Sequence, residues 1–425
     1  MMDKEEATPL LRKSEVAPLE DDDAFCVELK RVGSMAAPML AANMCQYLLQ
    51  VVSLMMVGHL GLLVSFSGVA IAISFAEVTG FCVLMGMAGA LETLCGQTYG
   101  AEEFTEIGNY TFCAIVTLLL VCLPISLLWI FMDKILLLFG QDPEISHVAH
   151  KYCICSIPAL YGFAVLQCQI RYFQTQTCEK TKIVFSFNAL LSIPEFCQFA
   201  IPSGLMFCFE MWSFELLTLF AGLLPNPQLQ TSVLSVCLNT TTLHYIIPYA
   251  VGASASTRIS NELGAGNPKA AQGIVRVVVI LGIVDGVIVS TFFVCCRHIL
   301  GYAYSNDKEV VDYVSDIVPI LCGSFTADSL IGALSGIARG GGFQQIGAYV
   351  NLGAYYLVGV PLAFLLGFVL HFNAKGLWMG SLTGSVLQVI ILTVVTVLTD
   401  WQKEATKARE RIVEKSIKVH NDSVI

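Results

Sequence analysis

PMLAANMCQYLLQVVSLMMVGHLG at 38–61 and PSGLMFCFEMWSFELLTLFAGLLP at 202–225 belong to two copies of one stretch of chain. The copies align without a gap at a constant offset of 164. Ala36 meets Ala200, Pro38 meets Pro202, Gly58 meets Gly222, Leu60 meets Leu224, Val69 meets Val233, Thr93 meets Thr257, and Gly100-Ala101 meets Gly264-Ala265. Prolines and glycines dominate these few identities, and they are the residues that set bends and close approaches in apolar helices. A shared geometry accounts for them more economically than chance. Within the repeat Gln46 lies opposite Glu210, so one half carries a titratable side chain where the other carries its neutral isostere.

The chain around this repeat has 425 residues, 56% of them hydrophobic and only 13% charged, with a mean hydropathy of +0.71. A water-soluble core of this size has no need of so apolar a chain. The fold class is therefore all-α, a duplicated polytopic membrane bundle. A span takes about 20 apolar residues, and such windows recur near 32–57, 66–95, 107–132, 150–172, 197–221, 229–257, 273–296, 309–338, 343–370 and 376–399, which predicts ten helices. Residues 1–30 are acidic and polar without the short apolar core of a cleavable signal, so the first helix is expected to insert itself. If the N-terminus is cytoplasmic, 18 of the 23 Lys and Arg fall on the cytoplasmic side. The positive-inside rule then places both termini in the cytoplasm, which requires an even number of spans.

Several function classes find no support in this composition. There is no basic face for nucleic acid. The 16 cysteines are scattered through apolar helices without C-x-x-C or paired Cys/His spacing, and read as small buried hydrophobes. No metal site, prosthetic cofactor or catalytic constellation is expected, and the chain does not read as an enzyme. Arg339-Gly340-Gly341-Gly342 lacks the preceding strand and following Lys-Ser/Thr of a phosphate cradle, so a tight cytoplasmic turn is expected there. The runs ending at Gly100 and Gly264 read as helix stops, and Arg258 is placed to meet terminal carbonyls or an acidic partner.

The two halves differ in length. After Arg339 the second half continues for about sixty residues and builds two more helices, whereas after Gln174-Thr175-Gln176 only some twenty residues precede the helix near Cys197. Within them 183–193 is apolar but too short to span. The predicted layout is an acidic tail (1–30), an N-lobe of four helices (31–176), a shortened linker (177–196), a C-lobe of six helices (197–400) and a second tail (401–425). In the tails, Glu6–Leu11 resembles adaptor-read sorting signals, and the basic run 403–418 suits either an anionic lipid surface or water.

The strings VGHLG (57–61), TLCGQTYGA (93–101), EMWSFELL (210–217), GLLPNP (222–227), STRISNELGAGNP (256–268) and GAYVNLGAYYLVGVPLAFLLG (347–367) closely resemble the plant branch of the multidrug and toxic compound extrusion family, the DETOXIFICATION carriers. That resemblance implies two six-helix lobes around a central cleft and export of small organic compounds in exchange for protons or sodium. It further implies a monomeric carrier in the vacuolar or plasma membrane, with no cofactor beyond the ion gradient. It maps the coupling carboxylates onto Glu210 and Asp328, with Asn239 as hydrogen-bond partner. The chain departs from the pattern where helices five and six should lie. Two functions therefore stand: a proton-coupled antiporter for lipophilic or cationic xenobiotics and metabolites, or a truncated, non-transporting or regulatory form of such a carrier.

The physics of the carboxylates points the same way. An ionised carboxylate in the bilayer interior costs at least about 2.5–3.5 kcal/mol, so Glu210, Glu215 and Asp328 should each face the bundle or hold a proton. Two carboxyls that share a dry site favour keeping a proton between them. Ionised, the pair offers a negative cavity to a lipophilic cation; protonated, it does not. Pro202, about two turns before Glu210 at 3.6 residues per turn, marks an expected bend. Glu215 lies about 140° around the helix from Glu210 and is expected to have other surroundings, as a supporting group at most. Glu77 and Asp285 read as local polar groups. Since Gln46 does not titrate, coupling is expected in the second lobe alone.

Overall fold

The computed structural model describes residues 21–58, 63–175, 187–304 and 307–422. The sorting-like segment at 6–11 and positions 177–186 of the linker lie outside them. The described residues form helices and connecting turns, with no strand among them. The long helices are α1 (Asp21–Gly58), α2 (63–100), α3 (Phe104–Ile130), α4 (Pro143–Thr175), α5 (Ile193–Ala221), α6 (Pro227–Gly264), α7 (Pro268–Leu300), α8 (Lys308–Gly341), α9 (Gln344–Val369), α10 (Asn373–Leu398) and α11 (Trp401–Asp422).

Among the described residues, nine helices are long and apolar enough to cross a membrane. α6, expected as one of ten, spans 38 residues and is not among the nine. Its buried residues include Gln230, Thr240, Thr241, His244, Ser254, Ser256, Thr257, Ser260 and Asn261. These polar groups face other helices rather than lipid, so apolarity understates how deeply α6 is enclosed. α1 starts at Asp21, well before the expected window at 32–57. Among its described residues the linker contributes one 3₁₀ stretch, Phe187–Ser192, before α5 begins.

The sequence repeat returns as packing symmetry. Each half's first helix lies against the other half's second: α1 on α6, and α5 on α2. α2 and α6 then meet near their C-terminal ends. A Cβ on Gly100 would run into the Asn261 carbonyl, and one on Gly264 into the Gln97 carbonyl. Gln97 and Asn261 are themselves 164 apart, as are Gly100 and Gly264. Residue and partner exchange places across the contact, the signature of a twofold interface. The helix stops expected at both glycines are present. α8 continues to Gly341 and turns at Gly342, whose φ of 81° is the left-handed conformation a glycine supplies.

Arg258 finds its acidic partner in Glu28 of α1, 2.9 Å away. One face of the basic tail rests on protein, while Lys403, Lys407 and Arg409 stay exposed on the other. Trp401, Ala405, Ala408 and Ile412 recur at helical spacing and are buried, with Trp401 edge-on to Phe343. The Arg411 guanidinium stands 4.5 Å from the centre of the Phe199 ring. Lys415 reaches Glu106 of α3 at 2.8 Å and sits 3.4 Å above the Tyr110 ring. α11 thus bridges helices from both halves.

Candidate functional site

Pro202 and Glu210 lie on one helix because the apolar run of α5 continues through the proline. Next to it, Gly204 lets α5 approach Gly86 of α2, where a side chain would not fit. Two turns further, Glu210 is 4% exposed. Its Oε1 accepts a hydrogen bond of 2.8 Å from the Tyr245 hydroxyl of α6, and Gln388 of α10 also reaches it. A relay of neutral groups fixes this surround. The Tyr355 hydroxyl donates to Gln388 Oε1 at 2.7 Å, Gln388 Nε2 donates to Asn351 Oδ1 at 2.8 Å, and Asn351 Nδ2 donates to the Met206 carbonyl at 2.7 Å. Buried polar groups satisfied in series hold one geometry.

Asp328 of α8, 4% exposed as well, is close enough to Glu210 for the two charges to interact. Its Oδ2 has no hydrogen-bond partner. Neither carboxylate is in an ion pair among the described residues. The two sequence-predicted carboxylates, from α5 and α8, are thus both buried and near enough for their charges to interact, and tyrosines and amides of α6, α9 and α10 surround Glu210.

The other expected groups lie elsewhere. Asn239 is exposed, and the hydrogen bond expected from it is made by Tyr245. Glu215 is half-buried on another face, near Cys82 of α2 together with Glu77, so it does not join Glu210. Asp285 has a local role, holding His244 Nε2 at 3.0 Å and accepting from the Ser329 hydroxyl at 2.7 Å. Gln46 is half-buried on α1.

The sequence reading missed an ionic cluster. Arg171 and Arg339 are both buried between the halves, at 3% and 8% exposure. Glu92 of α2 is fully buried and bridges them, with Oε1 2.7 Å from Arg171 Nη1 and Oε2 2.9 Å from Arg339 Nε. The one signal available was that Glu92 has Ser256, not an acid, at the repeat offset.

A family model described as MatE matches residues 38–194 and, a second time, 202–365. The chain belongs to the MatE family. Both matches begin at the prolines that open the repeat, Pro38 and Pro202. Protein DETOXIFICATION 9 of Arabidopsis thaliana is 44% identical over 479 aligned positions, covering 99% of each chain. Protein DETOXIFICATION 8 of the same plant is 46% identical over 444 positions, 91% of each. The crystal structure of the eukaryotic MATE transporter AtDTX14 superposes with a TM-score of 0.88 at 42% identity, over 92% of this chain and all of that one. The Vibrio cholerae MATE transporter VcmN, at 13% identity and a TM-score of 0.72 over 89% and 99% of the two chains, shares the fold. The protein is thus a multi-pass membrane carrier of the multidrug and toxic compound extrusion family, acting on small molecules in a lipid environment. Carriers of this family are not enzymes in general and need no prosthetic cofactor. An alignment of 479 positions exceeds the chain's own 425 residues, so DETOXIFICATION 9 has roughly fifty positions without a counterpart here, enough for two spans of about 20 residues each.

Proposed function

We propose that this carrier is a proton-coupled antiporter that exports lipophilic or cationic xenobiotics or secondary metabolites, with coupling confined to its second half. The observation that supports the reading is that Glu210 and Asp328 are both buried, near enough for their charges to interact, and without an ion-pair partner for either among the described residues. An isolated charge buried in that way is costly, so proton and organic cation compete for the same carboxylates. Protons arriving from the far side displace the bound cation, and departure of the protons restores its site. Tyr245 orients Glu210 throughout, and the proline bend of α5 is where the helix yields as the lobes exchange access.

In this scheme the N-lobe, 31–176, is the passive partner and the C-lobe, 197–400, is the coupling unit. Both termini are cytoplasmic, in the vacuolar or plasma membrane. A second reading, a non-transporting or regulatory shortened carrier, is favoured by the positions missing relative to DETOXIFICATION 9. Efflux of a fluorescent organic cation from proteoliposomes under an imposed proton gradient separates the two. Gradient-dependent efflux above empty vesicles supports the antiporter; folded protein that moves no cation supports the shortened form.

A further inference from the structure

Two guanidiniums and one carboxylate meet at the contact between the halves, and their charges do not cancel. Arg171 on α4 spends Nη1 on Glu92 and on the Gln174 side chain, and Nη2 on the Tyr249 hydroxyl at 2.5 Å. Its Nε has no partner. Arg339 on α8 spends Nε on Glu92, and its Nη2 has no partner. The Arg171 and Arg339 side chains are nine-tenths or more buried, and both line a cavity with Met85, Gly86, Gly89, Ser203, Phe207 and Tyr249.

We infer that this cavity is a binding site for a small monovalent anion of chloride size. One excess positive charge in a dry interface is costly unless a counter-charge is paired with it. Among the described residues, the ion pairs of Arg171 and Arg339 are those with Glu92 alone. Glu210 on α5 interacts with Arg339 only through space, and its own hydrogen bond goes to Tyr245. The remaining groups facing the cluster, Tyr245 and Tyr249 on α6 and Ser203 on α5, are neutral donors or acceptors. Guanidinium N–H groups held in fixed positions suit a halide or one carboxylate oxygen. The cavity has room for about one water-sized body, so the anion is a free halide or the carboxylate head of a molecule whose body stays outside. Because it spans α2, α4, α5, α6 and α8, the anion would tie the two halves together and be released when they part. This inference does not depend on proton coupling at Glu210.

The test is a chloride titration of the purified full-length protein at constant ionic strength, with isethionate, which carries no carboxylate, as the replacing anion and melting temperature as the readout. The unaltered protein is expected to show a saturable upward shift, and acetate is expected to compete for it. Glu92→Gln raises the excess charge, and half-saturation should fall at least about tenfold, given one more unbalanced unit charge within a few ångströms. Arg339→Gln and Arg171→Gln each leave a balanced pair with Glu92 and should abolish the shift. An undiminished shift in those two variants, or no shift of the unaltered protein with either chloride or acetate, would overturn the assignment; a shift with acetate alone supports the carboxylate-head form of the site. Should neither arginine variant fold, crystals of the unaltered protein soaked in bromide decide it. An anomalous peak within hydrogen-bond reach of Arg171 Nε and Arg339 Nη2 supports the site; a peak absent there at full soak overturns it.

Discussion

Gly264→Ala adds one methyl group where α6 touches α2, and its cost follows from the geometry. The new Cβ would stand 2.6 Å from the Gln97 carbonyl carbon and 2.8 Å from its Cα, with the carbonyl oxygen nearer still. Comfortable carbon contacts begin at about 3.5 Å, so the helices must separate by roughly 1 Å. The obstacle is backbone, which has no rotamer to escape into. Overpacking typically costs about 1–3 kcal/mol, and the upper end applies here because moving α6 also disturbs the paired contact of Gly100 with Asn261. Gly273→Ala on α7 is the control: it is an equally helical position with nothing within 4 Å of the added methyl, where alanine should gain about 0.5–1 kcal/mol over glycine. The two single substitutions should therefore move stability in opposite directions in denaturant or thermal unfolding of detergent-purified protein. Gly100→Ala should match Gly264→Ala, and the double variant should cost less than the sum, since one separation relieves both clashes. A Gly264→Ala protein as stable as Gly273→Ala would refute the close twofold contact.

Three further outcomes are expected. Trp401→Ala should lower stability by about 3–5 kcal/mol, the usual cost of emptying a buried aromatic site, because Trp401 is 5% exposed where α11 docks; an unchanged melting curve would mean that the helix does not dock there in solution. In a cysteine-free background on right-side-out vesicles, Gly140→Cys should react with an impermeant maleimide and His420→Cys only after permeabilisation, and the reverse pattern would overturn the proposed orientation. Tyr245→Phe should reduce gradient-driven efflux about tenfold, for the loss of a hydrogen bond to a charged group worth at least about 1.5 kcal/mol, while efflux equal to the unaltered protein would show that Tyr245 does not position Glu210.

What could be read from the sequence was set by the kind of residue involved. The repeat was visible because Pro38, Pro202, Gly100 and Gly264 determine backbone geometry directly, and the twofold contact at Gln97 and Asn261 bears the same offset. Glu210 and Asp328 stood out because an acid inside an apolar run is conspicuous wherever it points. The hydrogen-bond partner did not: Asn239 and Tyr245 share α6 but lie six residues apart, about 120° around the helix, and the sequence does not say which face meets α5. Arg171 and Arg339 near helix ends look like cations that snorkel to the interface. Their burial depends on Glu92, 247 residues from Arg339 along the chain, a pairing no local pattern carries. The apolar stripe of α11 at Trp401, Ala405, Ala408 and Ile412 was present in the sequence, but nothing nearby in the chain indicated the surface that receives it.

The central claim, that protons and organic cations compete for Glu210 and Asp328 in the second half, is tested most directly by proton counter-movement. Proteoliposomes loaded with a pH-sensitive dye receive a lipophilic cation without any imposed gradient, and the internal pH is followed for the unaltered protein and for Glu210→Gln. The account predicts a cation-dependent pH change with the unaltered protein and none with Glu210→Gln, even where the variant folds and inserts equally well. Proton movement preserved in Glu210→Gln would place the coupling outside the pair and contradict it.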